Sequence, residues 1–261
     1  MCASIDITDK LNLEKEISKN KNLESLGILA GSIALDFNNI LTSILGNISL
    51  LQFYTKEEKA VKILSRMETA VKRAERLSKK LLTFSKGSYL IKESANINEI
   101  IKSISEFIFT GTATEITYDF DENIPIILLD KSQVSEVLHN ILLNARHAIE
   151  ENNGKLLNIK TEIVYVNSNN IDVSDITEGN YVKVSIKDTG VGISEENISK
   201  IFDPYFTTKE KGTGLGLATS YSIVKQHKGT IRVSSTVGEG SLFEIYLPLL
   251  KTEAEELPEK K

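Results

Sequence analysis

From Leu26 to Phe84 apolar residues recur at steps of three and four, with one interruption at "TKEE". The first run passes through Leu26, Ala30, Ile33, Phe37, Ile40, Ile44, Ile48 and Leu51. The second passes through Val61, Leu64, Met67, Val71, Ala74, Leu77, Leu81 and Phe84. This period lays one apolar stripe along each of two long helices; a strand's stripe would recur at every second residue. Thr55, with Glu58 three residues on, offers a capping box for the second helix, and Gly87 offers its stop. So short a connection returns the second helix antiparallel to the first. Each helix has further apolar residues beside its seam, more than one partner helix can cover. The expectation is a helical hairpin over residues 23–88 that pairs with a second copy as a four-helix bundle, making the protein a homodimer.

Inside the first helix the stretch "GILAGSIALDFNNILTSILGN" is unusual. Asp36 is the one formal charge between Glu24 and Lys56, and Ser32, Asn38, Asn39 and Thr42 surround it. Leu35 stands in this polar face, roughly 200° around the helix from Ile33 and Phe37 and so off the seam. The polar "DFNN" at the centre of residues 26–54 excludes a membrane span, because an aspartate in lipid is expensive. The whole chain of 261 residues carries a net charge of −5, which argues against non-specific binding to nucleic acid. Cys2 is the sole cysteine, so neither an intrachain disulfide nor a cysteine metal cluster is available. No signal peptide is evident at the N-terminus, and a cytoplasmic location is expected.

After the hairpin the pattern changes to alternating helices and strands, with a boundary near residues 87–95. "NINEIIKSISEFI", "KSQVSEVLHNILLNARHAIEE" and "GLATSYSIVKQH" read as helices. "TEITYDF", "IPIILLD", "KLLNIKTEIVYV" and "YVKVSIKD" read as strands, and "GTIRVSS" and "SLFEIYLPL" as a hairpin across "TVGEG". This predicts a layered α/β domain over residues 90–250, and an α+β chain overall. The charged tail 251–261 is expected to fray.

Four segments of the second half carry chemistry: "HNILLNARHAI", "DTGVGI", "FDPYFTTK" and "GTGLGLA". Asn140 and Asn144 are one helical turn apart and project from one face. Their amide oxygens suit Mg²⁺, a hard cation that shares phosphate oxygens. Asp188 ends a strand just before Gly190 and Gly192, where it can accept a hydrogen bond deep in a pocket while the glycines admit a flat ring. Gly212, Gly214 and Gly216 precede a helix, so free N–H groups and the positive helix end can meet phosphates. There is no G-x-x-x-x-G-K-[ST] loop and no protein-kinase V-A-I-K or H-R-D set.

In this order and spacing the four segments resemble the N, G1, F and G2 boxes of the catalytic domain of sensor histidine kinases, the GHKL (Bergerat) α/β sandwich. The resemblance implies ATP and Mg²⁺ as cofactors. It places Asn144 on the metal, Asn140 beside the phosphates and Asp188 on the adenine amino group. Gly190, Gly192 and Ile193 fall in its G1 box, and Phe202, Thr208 and Lys209 in its F box. Gly212, Thr213, Gly214, Leu215, Gly216 and Leu217 fall in its G2 box. Residues 194–213 become a lid, with Phe202 its anchor and Lys209 reaching phosphate. His147 stands either as a basic residue facing phosphate or as an ordinary surface histidine. Where hydrolysing relatives carry a glutamate one turn before the metal-binding asparagine, this chain has Asn140, which cannot take a proton. Transfer is therefore favoured over hydrolysis.

Residues 23–86 resemble the dimerisation and phosphoacceptor hairpin of the same kinases, with "LAGSIALDFNNILTSILGN" as its H box. The acceptor histidine of that pattern is here Leu35, which has no lone pair with which to attack phosphorus. His139, His147 and His227 all lie in the second half. Autophosphorylation is expected to be lost. Asp36 and Asn39 resemble the pair that positions water against a response regulator's phospho-aspartate, so a phosphatase activity toward a receiver domain is retained in this reading. Residues 1–22, with "IDITDKLNLEKEI", resemble the end of a PAS sensor domain running into a signalling helix, with the sensor itself removed. The alternatives are a non-catalytic ATP-binding scaffold and a GHKL ATPase.

Overall fold

The computed structural model describes residues 37–85, 90–152, 154–167, 176–209 and 212–249. The chain divides into two compact units, Met1–Ser88 and Tyr89–Lys261. Leu35, Asp36, the rest of residues 1–36 and the tail 250–261 lie outside the described residues. No helix among the described residues is long and apolar enough to cross a membrane.

In the first unit residues 37–54 form α1 and Glu58–Ser85 form α2. Gln52 on α1 donates to Glu68 on α2 at 3.3 Å. Leu41, Ile48 and Leu64 are buried, whereas Phe37, Ile40, Ile44, Leu51, Val61 and Met67 are exposed. On α1 the residues turned inward are Ile48, from the expected seam, and Leu41, seven residues before it and outside that seam. Among the described residues, Phe37, Ile40, Ile44 and Leu51 of the expected α1 seam form an apolar stripe that a single copy leaves uncovered. The expected capping box is absent. The Thr55 hydroxyl accepts from Glu57 N at 3.4 Å, and Glu58 pairs with Lys62 at 2.6 Å instead of reaching back. Asn39 is exposed and Asn38 half-buried.

The second unit has a mixed five-stranded sheet and a small antiparallel pair. In chain order its elements are β1 (Glu93–Ala95), α3 (Ile97–Phe109), β2 (Glu115–Phe120), β3 (Ile127–Leu129), α4 (Lys131–Glu151), β4 (Leu156–Val166), β5 (Gly179–Asp188), α5 (Glu195–Ile198), α6 (Gly216–Gln226), β6 (Thr230–Thr236) and β7 (Gly240–Pro248). The sheet order is β2-β4-β5-β7-β6, parallel between β2 and β4 and antiparallel elsewhere, and β1 pairs with β3. One sheet face carries Ile159, Val184, Ile186, Phe243 and Ile245 into the core. Val134, Val137, Leu138, Ile141, Leu142 and Ala145 of α4 meet them at helical spacing. The other face carries a charge ladder from Asp119 through Lys160, Glu162 and Lys183 to Glu244. One wet face and one dry face explain why these strands alternate.

Caps fix where α3 and α4 start. Asn96 accepts from Asn98 N and Glu99 N to start α3. Asp130 accepts from Gln133 N at 3.0 Å to start α4, and its other oxygen accepts from Ile91 N at 3.2 Å. The backbone N–H of Asp130 donates to buried His227 Nε2 at 3.1 Å, just past the end of α6. His227 Nδ1 lies 2.8 Å from the Ile223 carbonyl, which can only accept. The ring is therefore neutral with its proton on Nδ1.

Burial pushes the His227 pKa below its ordinary value, against the nearby Asp130 carboxylate and with the nearby Lys92 ammonium. A depressed folded pKa contributes stability that is present above the unfolded value of about 6.5 and is lost as pH falls through the folded value. The melting temperature should therefore drop more steeply between about pH 7 and about pH 5 in the natural chain than in His227→Gln. Parallel profiles would show that His227 does not titrate in this window.

Candidate nucleotide-binding site

Asp188 ends β5 and is almost wholly buried. Its Oδ1 accepts from Gly190 N at 2.9 Å and from Ser241 N at 3.2 Å. Burial pushes its carboxyl pKa up, and the two N–H donors partly offset that. Among the described residues both hydrogen bonds fall on Oδ1, which leaves Oδ2 to accept from a ligand.

The glycines beside Asp188 have a different reason from the one expected. A Cβ on Gly190 would stand 2.5 Å from Ala148 Cβ. A Cβ on Gly192, at φ +73, would stand 2.2 Å from Thr236 O. These residues let the backbone close against α4 and against the β6–β7 turn; admission of a flat ring is not what requires them. Val191 N donates to Ala148 O at 3.1 Å and Gly238 N to Val191 O at 2.8 Å, which locks the loop between both. Ile193 packs its side chain on the core while its N–H donates to Ser235 Oγ at 2.8 Å.

Helix α4 brings the asparagines to the start of α6. Asn140 Nδ2 donates to Gly216 O at 3.2 Å and lies 3.5 Å from Ser220 Oγ, so it ties the two helices together. Leu215, just before α6, is buried, and Leu217 packs against the core. Asn144 Oδ1 instead accepts from Lys209 Nζ at 3.2 Å. The same ammonium lies 3.3 Å from His147 Nδ1, and since an ammonium can only donate, that nitrogen accepts. Burial, then the Lys209 charge, hold the His147 pKa below its ordinary value. Burial also pushes the Lys209 pKa down, against the pull of Glu151.

The segment expected to be a lid is tied at its base. Phe202 is buried against Tyr221 of α6, with ring centres 5.5 Å apart and planes tilted by 42°. Tyr205 N donates to Gly214 O at 2.9 Å. Both residues have φ +66, common for glycine and rare for tyrosine. Gly212 N donates to Lys209 O at 3.0 Å, and Thr208 and Thr213 are exposed. Several residues here were not singled out from the sequence. Asn152 donates to Gly190 O at 3.1 Å, and Thr189 Oγ1 accepts from Leu156 N at 3.2 Å. The paired serines Ser235 and Ser241, which flank the turn "TVGEG" symmetrically, carried the one signal that could have marked them.

The donor set fits the implied ligands. Asn144 Oδ1 already faces a cation, the Lys209 ammonium, so a magnesium ion would meet an oxygen aimed at positive charge. The buried Asp188 carboxylate suits a neutral ring's amino group. Helix α6 begins at Gly216, directly beside Asn140.

Residues 129–251, within the second unit, match the family described as "Histidine kinase-, DNA gyrase B-, and HSP90-like ATPase". Over most of its length the chain is also similar to histidine kinases. It is 32% identical over 254 residues to "Sensor kinase CckA" of Brucella abortus (strain 2308), covering 95% of this chain and 27% of that protein. It is 32% identical over 244 residues to "Sensor histidine kinase ZraS" of Escherichia coli (strain K12), covering 91% of this chain and 48% of that protein. The chain thus spans less than half of the length of either relative. In fold it is similar to full-length ShkA, solved in complex with AMPPNP, with a TM-score of 0.66 at 19% identity, covering 86% of this chain and 46% of that one.

The Gly192 contact gives a direct expectation. Gly192→Ala should destabilise the protein by about 1–3 kcal/mol, because the new methyl meets backbone that cannot rotate away. Thermal unfolding of the full chain checks it, and an unchanged melting temperature would show that the β6–β7 turn yields freely.

Proposed function

We propose that this chain is the core of a two-component signalling kinase. It holds ATP and Mg²⁺ in residues 90–250, dimerises through residues 23–88 and acts on the receiver domain of a response regulator. Residues 1–22 serve as a signalling helix. The observation that carries the reading is the convergence of a buried carboxylate, a cation-facing asparagine oxygen and a helix start from three elements around one end of the sheet. When bound, ATP supplies the γ-phosphoryl group. Asp188 accepts from the adenine amino group and fixes the ring. Asn144 gives its amide oxygen to the metal, and Lys209 turns from that oxygen to phosphate. Asn140 holds the start of α6 in place, so that the N–H groups after Gly214 face the phosphates. Because Asn140 takes the place of a proton-accepting glutamate, water next to the phosphates is not activated. This disfavours steady-state hydrolysis.

The hairpin supports dimerisation through its uncovered stripe, in which Phe37 and Ile40 are more than half exposed. Leu35 at the acceptor position removes self-phosphorylation. Asp36 and Asn39 keep the polar groups that hold water against a phospho-aspartate, a step that needs no nucleophile at position 35. A scaffold that only binds ATP is the second reading, favoured by Leu35 itself.

Saturating Mg-ATP should raise the melting temperature, with about 2.7 kcal/mol of stabilisation at a hundredfold excess over Kd. Asp188→Ala and Asn144→Ala should each weaken binding at least tenfold, roughly the loss of one charge-assisted contact. Unchanged melting in Mg-ATP would sink the assignment.

Incubation with γ-labelled ATP should leave no acid-labile label on the natural chain, whereas Leu35→His should acquire it. In the same assay the natural chain should speed decay of a phosphorylated regulator, and Asn39→Ala should not. Label on the natural chain would overturn the reading of the hairpin. Equal decay with and without the protein would leave the scaffold reading.

A further inference from the structure

Asp188, Ser241 and Ser235 form a row across β5, β7 and β6. Ser235 is directly paired with Ser241, and the pairing of Lys187 with Leu242 sets Asp188 beside Ser241. All three lie on the core face, two residues on from Ile186, Phe243 and Val233. Ser241 is buried and, through its own N–H, touches the Asp188 carboxylate.

Counting protons gives this row a direction. A serine hydroxyl has one proton and two lone pairs. Ser235 Oγ gives its proton to Gly240 O at 2.7 Å and accepts from Ile193 N at 2.8 Å. Ser241 Oγ lies 3.0 Å away. Ser235 has no second proton, so Ser241 is the donor in that bond. The Ser241 hydroxyl is thereby spent as a donor, and only its lone pairs are left on the residue that neighbours Asp188 across the sheet.

We infer that Ser235 is a positioning residue for base selection: it fixes the Ser241 hydroxyl as an acceptor, so the oxygens at the end of β5 admit a purine edge that donates and reject one that accepts. This rests on the reading of the site as an ATP site. Adenine presents an exocyclic amino donor at that edge. Guanine presents a carbonyl, which would meet lone pairs on both Asp188 and Ser241. Without the Ser235 oxygen the Ser241 proton is released to turn toward the ligand and satisfy a carbonyl. Ser235 also holds Ile193, the residue before the segment 194–213, so its loss should loosen nucleotide binding in general. That second effect falls equally on both bases. The ratio of affinities separates the two.

The test is calorimetric titration of the full chain with Mg-ATP and with Mg-GTP. Ser235→Ala should reduce the preference for ATP over GTP by about tenfold, the weight of one neutral hydrogen bond. Ser235→Thr, which keeps the hydroxyl, should restore it. Ser241→Ala should reduce the preference by itself, and Ser235→Ala added to it should change the ratio no further. An unchanged ratio in Ser235→Ala, with both affinities lowered alike, would reduce Ser235 to a structural residue and overturn the inference. Should Ser235→Ala not fold, an unchanged ratio in Ser241→Ala overturns it equally. A natural chain that binds neither nucleotide would refute the ATP reading and this inference together, whereas tight ATP binding with an unmoved ratio refutes only the latter.

Discussion

Everything in the second unit turns on how closely three backbone segments approach the end of β5. A Cβ at Gly190 would strike Ala148 of α4, one at Gly192 would strike Thr236 of β6, and one at Gly240 would lie 1.9 Å from Asp188 O. No side chain fits between these segments, so helix, loop and hairpin turn close on Asp188 with little play. A carboxylate this deeply buried is costly unless its acceptors are used. The same closeness supplies Gly190 N and Ser241 N to one oxygen. The polar end of β5 is thus a consequence of backbone packing, and its polarity follows from which backbone N–H groups that packing leaves facing Asp188.

Helix α6 is held at both ends by polar contacts with α4. Asn140 meets Gly216 at its start, and His227 meets Asp130 just past its end. Apolar burial of Ile223 and Val224 fixes the rotation of α6, and the two hydrogen-bonded ends fix its slide along α4. Asp130 also holds Ile91, so its carboxylate joins the entry to the second unit and the cap of α4, while its backbone N–H holds the end of α6. Displacement of α6 at its Gly216 end would have to be absorbed at the Asp130 end, since the helix between is continuous.

Much of this was legible in the sequence because it depends on period and punctuation. The amphipathic α4, the strands around it and the hairpin across "TVGEG" follow from spacing alone, and Asp188 stands at a strand end followed by glycines as the pattern predicts. What was illegible depended on partners distant in sequence. Nothing local says that Gly190 faces Ala148 or that Asn140 spends its amide on Gly216. How α1 divides its apolar residues was illegible for a related reason. The segment has two overlapping apolar stripes, and periodicity cannot say which one a helix turns toward its own chain and which it leaves for another. Leu41 was passed over since it stood outside the longer run, yet it is buried and Ile40 is exposed.

The two units also respond differently to the loss of a functional residue. In the second, the residues proposed for the site also hold the fold: Asp188 organises the turn it sits in, and Asn140 braces a helix, so substitutions there disturb the structure itself. In the hairpin the two roles are separable. Leucine is among the better helix formers, and the sequence period sets position 35 off the apolar seam. A histidine exchanged for leucine at such a place removes a nucleophile at no cost in helix propensity. The physical constraints that keep the nucleotide site intact therefore act regardless of whether the hairpin receives a phosphoryl group. Under the proposed function, an ATP-binding unit of this kind can therefore stay complete in a chain that has Leu35 at the acceptor position.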